Sequence, residues 1–336
     1  MSQPYFPPAY KPLLSVLETE AALKALKDYF ERDLAHTLHL IRVSAPLFVY
    51  PESGLNDDLN GVERPVSFGI LEQHDRPCQV VHSLAKWKRS ALAHYGIAPG
   101  QGIYTDMNAI RRDETTDNVH SLYVDQWDWE KVIPQTERTE ATLRATVEAI
   151  YGVILRAEAY MAERYDCLTR RLPSRIAFAT AQDLEDKYPE LSPKERELAA
   201  VKETGALFLM QIGGALQSGV PHDGRAPDYD DWTMNGDLLV YYDLLDCALE
   251  LSSMGIRVDA HALKRQLALS GCEERLKNPY CTGIIKGTLP ASIGGGIGQS
   301  RLCLLLLRKA HIGEVQASLW PPETVQACAS QGIPLL

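Results

Sequence analysis

Two strand candidates stand almost back to back in DLLVYYDLLDCALELSSMGIRVD (237–259), and they decide the fold class. The apolar runs 237–245 and 247–259 are separated by a single residue, which leaves no room for a helix between them. A third candidate, ALFLMQI (206–212), precedes them. Strands that arrive in runs, without a helix between each pair, favour an antiparallel α+β layer over a doubly wound parallel sheet.

Helices with clear start signals are predicted on both sides of these strands. The first begins at a capping box formed by Ser15 and Glu18. A later one has a capping box, a proline at its first position and a glycine after its end: Ser192, Glu195, Pro193 and Gly205. Further helices are predicted at 83–96, 136–165, 260–270 and 300–309.

No linker, repeat or low-complexity boundary divides the chain, so we expect one domain over residues 1–336. The proline-rich tail 1–12 is expected to be irregular and partly mobile. The β-rich segment 40–50 contains Pro46, which suits a strand at a sheet edge or an interface better than a central strand.

The composition limits the class of protein. The 336 residues carry 34 Lys and Arg against 44 Asp and Glu, a formal net charge of −10. Wrapping nucleic acid requires a basic face, so no nucleic-acid partner is predicted. The N-terminus lacks the features of a signal peptide, and no apolar run is long enough to cross a membrane. The seven scattered cysteines form no C-x-x-C pair, which predicts reduced thiols in a cytoplasmic protein.

The sharpest local signal is the glycine-rich segment IGGGIGQSRLCLLLL (293–307). The dinucleotide fingerprint would need a glycine where Gln299 stands, and no Gly-Lys-Ser/Thr follows, so neither that motif nor a P-loop is present. Arg301 at the start of the following helix either lies on a base or reaches a phosphate. Alternatively, the glycines form a turn for close packing and Arg301 is solvated. The pattern alone leaves both readings open.

The segment VDQWDWE (124–130) predicts a two-faced strand. Trp127 and Trp129 share one side, whereas Gln126, Asp128 and Glu130 share the other. Gln126 and Asp128 are then about 7 Å apart along the strand. An amide beside a carboxylate suits an amino-acid ligand, because the carboxylate can pair with the α-ammonium group. The alternative is an ordinary solvent-facing side of a strand.

Cations stand out in two segments of this acidic chain. HSLAKWKR (82–89) brings His82, Lys86 and Lys88 together, and at most one of its two lysines is expected to reach a phosphate. The alternative is a solvated basic helix face. Arg111 precedes an acidic turn, DETTD, that looks like a loop between two strands, where an arginine can bind phosphate or carboxylate.

Two acidic segments complete the set. DGRAPDYDDW (223–232) places Asp228, Asp230 and Asp231 in a loop that either binds an ammonium or a divalent cation or lies exposed as a turn. ELSSMGIRVD (250–259) has Glu250 on the opposite strand face from Ser253 and Arg257, so a common site for all three requires a bulge near 254–255.

Together these segments resemble one family, the ammonia-dependent aspartate–ammonia ligases, which are the A type of asparagine synthetase. The stretches that carry the resemblance are VVHSLAKWKR, VDQWDWE, RAPDYDDW, ELSSMGIRVD and GGGIGQSR, all in the family's order and spread over nearly the whole chain. The family is similar in fold to class II aminoacyl-tRNA synthetases, which implies a mixed, mainly antiparallel sheet flanked by helices. It also implies a homodimer formed through the helix and strand at 15–46.

The resemblance implies that aspartate, ATP and ammonia give asparagine, AMP and pyrophosphate through a β-aspartyl-adenylate, with Mg²⁺. It assigns catalysis to Arg111, Lys88 and Asp57, although Asp58 is an alternative to Asp57. It assigns aspartate binding to Gln126, Asp128, Asp230, Ser83, Ser253 and Arg257. It assigns Mg²⁺ binding to Asp237 and Glu250. It assigns nucleotide binding to Arg111, Arg301, Gly296, Gly298, His82, Asp237 and Glu250.

Three other readings are weaker. A synthetase that charges RNA needs an anticodon-type domain or a basic acceptor surface, and neither is recognisable in the sequence. A non-catalytic regulator would be expected to have lost its charged site residues, but these are present. A glutaminase of the N-terminal-nucleophile type needs cysteine directly after Met1, where Ser2 stands, so free ammonia is the expected nitrogen donor.

Overall fold

The computed structural model describes residues 5–57 and 63–336. The helices are α1 (Val16–Leu38), α2 (Ala85–Tyr95), α3 (Glu140–Arg164), α4 (Ala181–Lys187), α5 (Pro193–Thr204), α6 (Ala260–Leu269), α7 (Pro279–Ile285), α8 (Gln299–Leu306) and α9 (Pro322–Ser330). The strands are β1 (Leu40–Arg42), β2 (Phe48–Val49), β3 (Ser67–Ile70), β4 (Arg76–Val80), β5 (Gly102–Ile110), β6 (Tyr123–Val132), β7 (Ala177–Thr180), β8 (Ala206–Met210), β9 (Asp230–Tyr242), β10 (Cys247–Arg257) and β11 (Ser292–Gly298). In this part of the chain, no helix combines the length and the apolar character that a membrane span requires.

Eight strands form one large sheet in the order β1-β5-β6-β11-β10-β9-β8-β7. Only the two outer pairs, β1 with β5 and β7 with β8, are parallel, and the pairs between them are antiparallel. A small antiparallel sheet, β2-β4-β3, stands apart from it. The predicted α+β class with a mixed, mainly antiparallel sheet is therefore confirmed.

The two faces of β6 divide the core from the polar side of the sheet. Trp127 and Trp129 are fully buried, and the ring of Trp127 stacks on Phe30 of α1 at 4.6 Å. Helices α1 and α3 pack against each other over this face. On the opposite face, Lys88 of α2 reaches Asp128, so α2 covers the polar side. The alternation expected for β6 is thus present.

Most predicted helix boundaries are confirmed by their caps. The capping boxes at Ser15 and Ser192 are both formed, and Gly96 and Gly205 end α2 and α5. The long helix predicted from residue 136 begins later, at Glu140, because Thr139 is its N-cap and 135–137 form a separate 3₁₀ turn.

Two predicted loops are wrong, since both are strands. The glycine-rich segment before Gln299 is strand β11, paired on one side with β6 and on the other with β10, and is not a turn. Asp230 and Asp231 begin β9 and do not lie in a loop. Turn-forming residue types misled both predictions, because the neighbouring strands outweigh their local preference.

Residues 1–4 of the predicted tail lie outside the described residues, and from residue 5 to α1 the chain has neither helix nor strand. The amide of Asn118 donates to the carbonyl of Tyr5, and the Tyr5 N–H donates to the Asn118 side chain, both at 2.7 Å. The Tyr10 hydroxyl donates to Glu314 at 3.0 Å. These hydrogen bonds join the tail to the fold, and its mobility stays a prediction.

Removal of the Phe30 ring should destabilise the protein strongly. We expect Phe30→Ala to lower the free energy of unfolding by about 3–5 kcal/mol, because it leaves a cavity against Trp127 in a fully buried layer. The control is Glu20→Ala on the exposed side of the same helix, expected to change it by less than about 0.5 kcal/mol. Urea titration followed by tryptophan fluorescence measures both, and equal effects would contradict the packing described here.

Candidate functional site

A cleft on the polar side of β6 contains nearly all the side chains selected from the sequence. It consists of two adjoining cavities, here called chamber A and chamber B, of about 280 and 290 Å³. Both chambers are lined by Arg111, Gln126, Asp223, Glu250 and Gly296, which mark where they meet. Of the other predicted residues, chamber A contains Asp57, His82, Ser83, Lys88, Asp128, Asp230, Ser253 and Arg257, and chamber B contains Gly298 and Arg301. Asp237 lines neither.

The glycines of β11 form the floor of the cleft. A Cβ atom on Gly294 would overlap the carboxylate of Glu130 and lie 2.6 Å from Nη2 of Arg257. A Cβ atom on Gly296 would lie 2.5 Å from Oε1 of Gln126. Side chains from the neighbouring strands therefore lie directly against the glycine backbone. This close approach explains why positions 294 and 296 are glycine.

Arg257 is the centre of a buried ion cluster. Its Nε and Nη2 donate to the Glu130 carboxylate at 3.0 and 2.7 Å, and its Nη1 donates to Asp230. The Ser292 hydroxyl also donates to Glu130, at 2.7 Å. Burial opposes ionisation of Glu130, but Arg257 outweighs it and the pKa of Glu130 is lowered. For Asp230 burial dominates, and its pKa is raised.

The cluster still leaves donors for a ligand. A guanidinium group has five N–H donors, and the bonds to Glu130 and Asp230 use one each on Nε, Nη2 and Nη1. One N–H on each of the two Nη atoms of Arg257 remains. Since Arg257 lines chamber A, it can hold a carboxylate in the two-pronged geometry typical of arginine.

Lys88 and Asp128 form a second buried pair beside this cluster. The Lys88 ammonium donates to Asp128 and, at 2.9 Å, to the carbonyl of Gly295, which leaves one donor. Burial lowers the pKa of Lys88 although Asp128 opposes the shift. Oδ2 of Asp128 has no hydrogen-bond partner within residues 5–57 and 63–336, so it is available to an ammonium group. A solvent-facing strand side is excluded, since Asp128 is 3% exposed.

A bulge in β10 brings Glu250, Ser253 and Arg257 to one cleft. The register against β9 shifts after Glu250, because Leu251 is an extra residue in β10. An extra residue turns the side chains that follow it to the other face, and all three residues line chamber A. The required bulge therefore lies before Ser253 and not near 254–255. The second register shift, before Arg257, has its extra residues in β9.

Chamber B contains two arginines that face Glu250. Nη1 of Arg301 donates to the Glu250 carbonyl at 3.2 Å and lies 3.5 Å from its carboxylate. Burial opposes ionisation of Glu250, but the surrounding cations, with Arg301 first, lower its pKa. Nε of Arg111 is buried and has no partner among the described residues, although its Nη1 lies 3.8 Å from Glu114. Both guanidiniums line chamber B, where a ligand could reach them, and the roles predicted for Arg301 at a base or a phosphate stay predictions.

Asp237 lies behind the cleft, where Arg225 pairs with its carboxylate. Burial raises the pKa of Asp237 to about 6, and the nearby Glu250 contributes to the rise whereas Arg225 opposes it. Oδ1 of Asp237 has no partner within the described ranges. Asp237 therefore contacts the cleft through Arg225, which lines chamber A, and its assignment to the nucleotide and Mg²⁺ stays a prediction.

The two carboxylates of Asp237 and Glu250 fit a magnesium ion in part. Carboxylate oxygen is the ligand that Mg²⁺ prefers, and one oxygen of Asp237 has no partner among the described residues. Within these residues, however, no three His, Cys, Asp or Glu side chains converge as a metal site. An ion there would take its remaining ligands from phosphate and water, as Mg²⁺ commonly does.

The start of α2 fixes the segment that carries Asp57. The ring Nδ1 of His82 lies 3.1 Å from the Asp57 carbonyl, and the His82 N–H donates to the Asn56 side chain at 2.9 Å. The Ser83 hydroxyl accepts from the N–H of Ala85 at 3.1 Å, in the first turn of the helix. Asp57, His82 and Ser83 all border chamber A. Asp58, the alternative to Asp57, lies outside the described residues.

Several charged residues singled out in the sequence lie outside the chambers. Arg89 donates to the carbonyls of Pro290 and Val258 at 2.9 and 2.8 Å and holds α2 in place. Asp231 pairs with Arg138 at 3.1 Å and with Arg265 at 3.3 Å. Asp228 is fully buried and pairs with Lys86 at 2.7 Å. The cation site considered for these aspartates is not formed, because arginine and lysine already neutralise them.

Sequence reasoning missed three residues of the site. Glu130, which fixes Arg257, was placed on the correct strand face but received no role. Arg225 and Tyr229 both line chamber A and stand within the quoted segment 223–232. In that segment only the aspartates are predicted to bind a ligand, although an arginine among acidic residues is also a signal for a buried ion pair.

Comparison with known proteins agrees with this geometry. A sequence model of the aspartate-ammonia ligase family matches residues 17–332. The chain is 57% identical to an aspartate–ammonia ligase of Clostridium perfringens over 336 residues, with all of both chains covered. It is 58% identical to an aspartate–ammonia ligase of Ruminiclostridium cellulolyticum over 330 residues, which cover 98% of each chain.

Solved structures with a similar fold are class II aminoacyl-tRNA synthetases. The asparaginyl-tRNA synthetase of Pyrococcus horikoshii, in complex with asparaginyl-adenylate, superimposes with a TM-score of 0.64 at 13% identity. That match covers 90% of this chain and 70% of the synthetase. The asparaginyl-tRNA synthetase of Entamoeba histolytica gives a TM-score of 0.61 at 14% identity, with 90% and 67% covered. The predicted class II fold is confirmed.

A side chain on the floor of the cleft should be poorly tolerated. We expect Gly294→Ala to lower the free energy of unfolding by about 1–3 kcal/mol, because its methyl group would displace Glu130 from Arg257. The matched control is Gly214→Ala, since a Cβ atom there meets nothing within 4 Å. Denaturant titration measures both variants, and an unchanged midpoint for Gly294→Ala would show that the floor accommodates a side chain.

Proposed function

The chain belongs to the aspartate–ammonia ligase family, and from this premise we propose how its two chambers divide the family's reaction. It is a ligase of asparagine biosynthesis that uses ATP to join ammonia to aspartate. In our proposal chamber A holds aspartate and chamber B holds the nucleotide. The observation that carries this is the meeting of the two chambers at Arg111, Gln126, Glu250 and Gly296, where a carboxylate and an α-phosphate can react.

Aspartate binding in chamber A follows from the paired charges. Arg257 offers two N–H donors to a substrate carboxylate, and Asp128 offers an oxygen to the α-ammonium group. Gln126 lies beside Asp128 on the same strand face and supplies a neutral amide. Ser83, Ser253 and Asp230 complete the contacts. Because every cation here is already paired with a carboxylate, the site recognises a zwitterion rather than a simple anion.

The nucleotide in chamber B is held by cations and by backbone. Arg301 would hold the adenine and the outer phosphates, and Gly296 and Gly298 allow the ligand to approach the strand closely. Glu250 lines this chamber as well. We assign a share of nucleotide binding from outside chamber B to His82, which borders chamber A, and to Asp237, which lies behind the cleft beside Arg225. Asp237 and Glu250 would hold Mg²⁺, which supplies charge neutralisation at the phosphates.

In the first step the β-carboxylate oxygen of aspartate attacks the α-phosphorus of ATP, and the bond to pyrophosphate breaks. Arg111 lines both chambers, so it can contact the α-phosphate and the β-carboxylate together. Lys88 retains one N–H for the charge that develops during adenylation. Both cations are held by the protein before the substrates arrive, which reduces the reorganisation required in the transition state.

In the second step ammonia attacks the acyl carbon of the adenylate, and AMP leaves. The nitrogen must lose a proton as the amide forms, and a carboxylate beside the attacking atom can accept it. Asp57 and Asp230 both border chamber A, and we assign them to the incoming ammonia. Burial raises the pKa of Asp230, which favours the protonated form that proton transfer produces.

We further infer a cytoplasmic homodimer formed through α1 and β1. Large apolar side chains are exposed along these elements and just beyond β1: Leu17, Ile41 and Leu47 are 81%, 56% and 52% exposed. Contact with a second copy would bury them. All seven cysteines are free thiols, which suits a reducing compartment.

A substrate assay tests the reaction. Purified protein with ATP, Mg²⁺ and aspartate should form AMP and asparagine in equal amounts when ammonium is added, because ammonia attacks the adenylate directly. Glutamine or tRNA in place of ammonium should give neither product. Chromatography of the nucleotides and amino acids measures this. AMP formation that depends on tRNA, or its absence with ammonium, would contradict the proposed function.

The role of Arg301 can be tested by truncation. We expect Arg301→Ala to reduce kcat/KM for ATP about a hundredfold, because the variant loses a fixed cation in chamber B. Its unfolding midpoint should change little, since the side chain is partly exposed. The control is Arg112→Ala, an exposed arginine next to Arg111. Turnover near that of the control would remove Arg301 from the nucleotide site.

A further inference from the structure

Lys86 is a buried lysine for which the proposed reaction has no use. It lies on α2, two residues before Lys88, but it lines neither chamber. Lys86 is 3% exposed. It pairs with Asp228, whereas Lys88 pairs with Asp128. Burial of an ammonium group costs free energy unless charged and polar groups surround it, so the partners of Lys86 indicate what it stabilises.

The first contact of Lys86 fixes the segment that carries Asp57. Its Nζ donates to the carbonyl of Asn56 at 3.1 Å. The side chain of Asn56 is held in turn, because its oxygen accepts from the N–H groups of Asp57 and His82, both at 2.9 Å. The residue before Asp57 is therefore held twice: Lys86 of α2 binds the Asn56 carbonyl, and the His82 N–H binds the Asn56 side chain.

The second contact of Lys86 fixes the segment that carries Asp230. Its Nζ lies 2.7 Å from Oδ2 of Asp228, which is completely buried. Asp228 stands two residues before Asp230, where β9 begins. Arg275 also reaches Asp228, at 3.3 Å, from the 3₁₀ turn 273–277. One ammonium group thus joins the two chain segments that supply Asp57 and Asp230.

The carboxylates around Lys86 keep its side chain in the charged form. Burial acts to lower the pKa of Lys86, but the carboxylates of Asp228 and Asp57 outweigh it, and the pKa is raised. Lys86 therefore remains an ammonium at neutral pH and can donate to both segments at once.

We propose that Lys86 is a positioning residue for the ammonia step: its ammonium bridges Asn56 and Asp228 and so sets the placement of Asp57 and Asp230 around the incoming nitrogen. This rests on the proposed function, which assigns those two carboxylates to ammonia. The residues of adenylation depend on the bridge much less. Lys88 and Arg111 pair with Asp128 and Glu114. Arg257 keeps two hydrogen bonds to Glu130, although it also donates to Asp230.

The proposal has a kinetic signature that general destabilisation lacks. With pyrophosphatase present, release of pyrophosphate is irreversible, so kcat/KM for aspartate reports only the steps up to adenylation. Ammonia acts after that point. Misplacement of Asp57 and Asp230 should therefore lower kcat/KM for ammonium far more than kcat/KM for aspartate, to whose binding Asp230 adds one contact among several.

The test is Lys86→Met, which keeps the length of the side chain and removes its donors. We expect kcat/KM for ammonium to fall at least about tenfold, in line with the cost of a small misplacement at a reacting centre. We expect kcat/KM for aspartate, measured at saturating ammonium, to stay within about twofold of the wild-type value. An equal fall in both would overturn the proposal.

A matched control is Arg89→Met on the same helix. Arg89 is buried to the same degree, but it donates to the carbonyls of Pro290 and Val258 and not to Asn56 or Asp228. If Lys86 acts through its bridge, Arg89→Met lowers the unfolding midpoint without a selective loss toward ammonium. A selective loss of the same size in Arg89→Met would show that any damage to α2 has this effect.

A double variant separates stability from positioning. Lys86→Met combined with Asp228→Asn removes the buried carboxylate that the single change deprives of its ammonium partner, so its unfolding midpoint should exceed that of Lys86→Met. The bridge is still absent, and kcat/KM for ammonium should remain at least about tenfold below wild type. Recovery of both quantities would overturn the proposal. Failure of the proposed function appears differently, as no AMP formation by the wild-type protein with ammonium.

Discussion

The buried pair of Arg257 and Glu130 is the constraint on which the site depends. Both groups are withdrawn from water, and the loss of one partner from such a pair costs about 3–5 kcal/mol. A side chain at position 294 would collide with the pair, and the bulge at Leu251 brings Glu250 and Ser253 to the same cleft as Arg257. The site therefore requires this pair, the glycine beside it and the irregular register of β10 together.

The same pairing explains why the cleft binds charged substrates in an acidic protein. Each cation that faces the chambers is oriented by a carboxylate or a carbonyl, as Lys88 is by Asp128 and Gly295 and Arg301 is by Glu250. These partners occupy some of the N–H donors of the cations. In return, they fix the orientation of each cation before a ligand binds. The net charge of −10 therefore describes the protein as a whole, whereas local geometry decides what the cleft recognises.

The sequence predicted the parts of the fold that depend on local pattern. Alternation in β6 and the caps at Ser15 and Ser192 each follow from a few neighbouring residues, and all are confirmed. The glycine run and Asp230 were misassigned because their conformation is set by strands distant in the chain. Resemblance to a family located most site residues, but it could not show that Asp237 reaches the cleft through Arg225, which depends on tertiary packing.

The residues proposed for adenylation and those proposed for the ammonia step lie in different parts of the fold. Gln126, Asp128 and Arg257 stand on central strands of the large sheet, the architecture that this chain shares with class II synthetases. Asp57 lies between β2 and β3, outside that sheet, and Asp230 is the first residue of β9. Strand pairing can fix the groups for adenylation, but it cannot fix a carboxylate that belongs to no strand. A cross-link from α2 to both segments supplies what the sheet lacks, and a buried ammonium with donors in several directions is suited to that task.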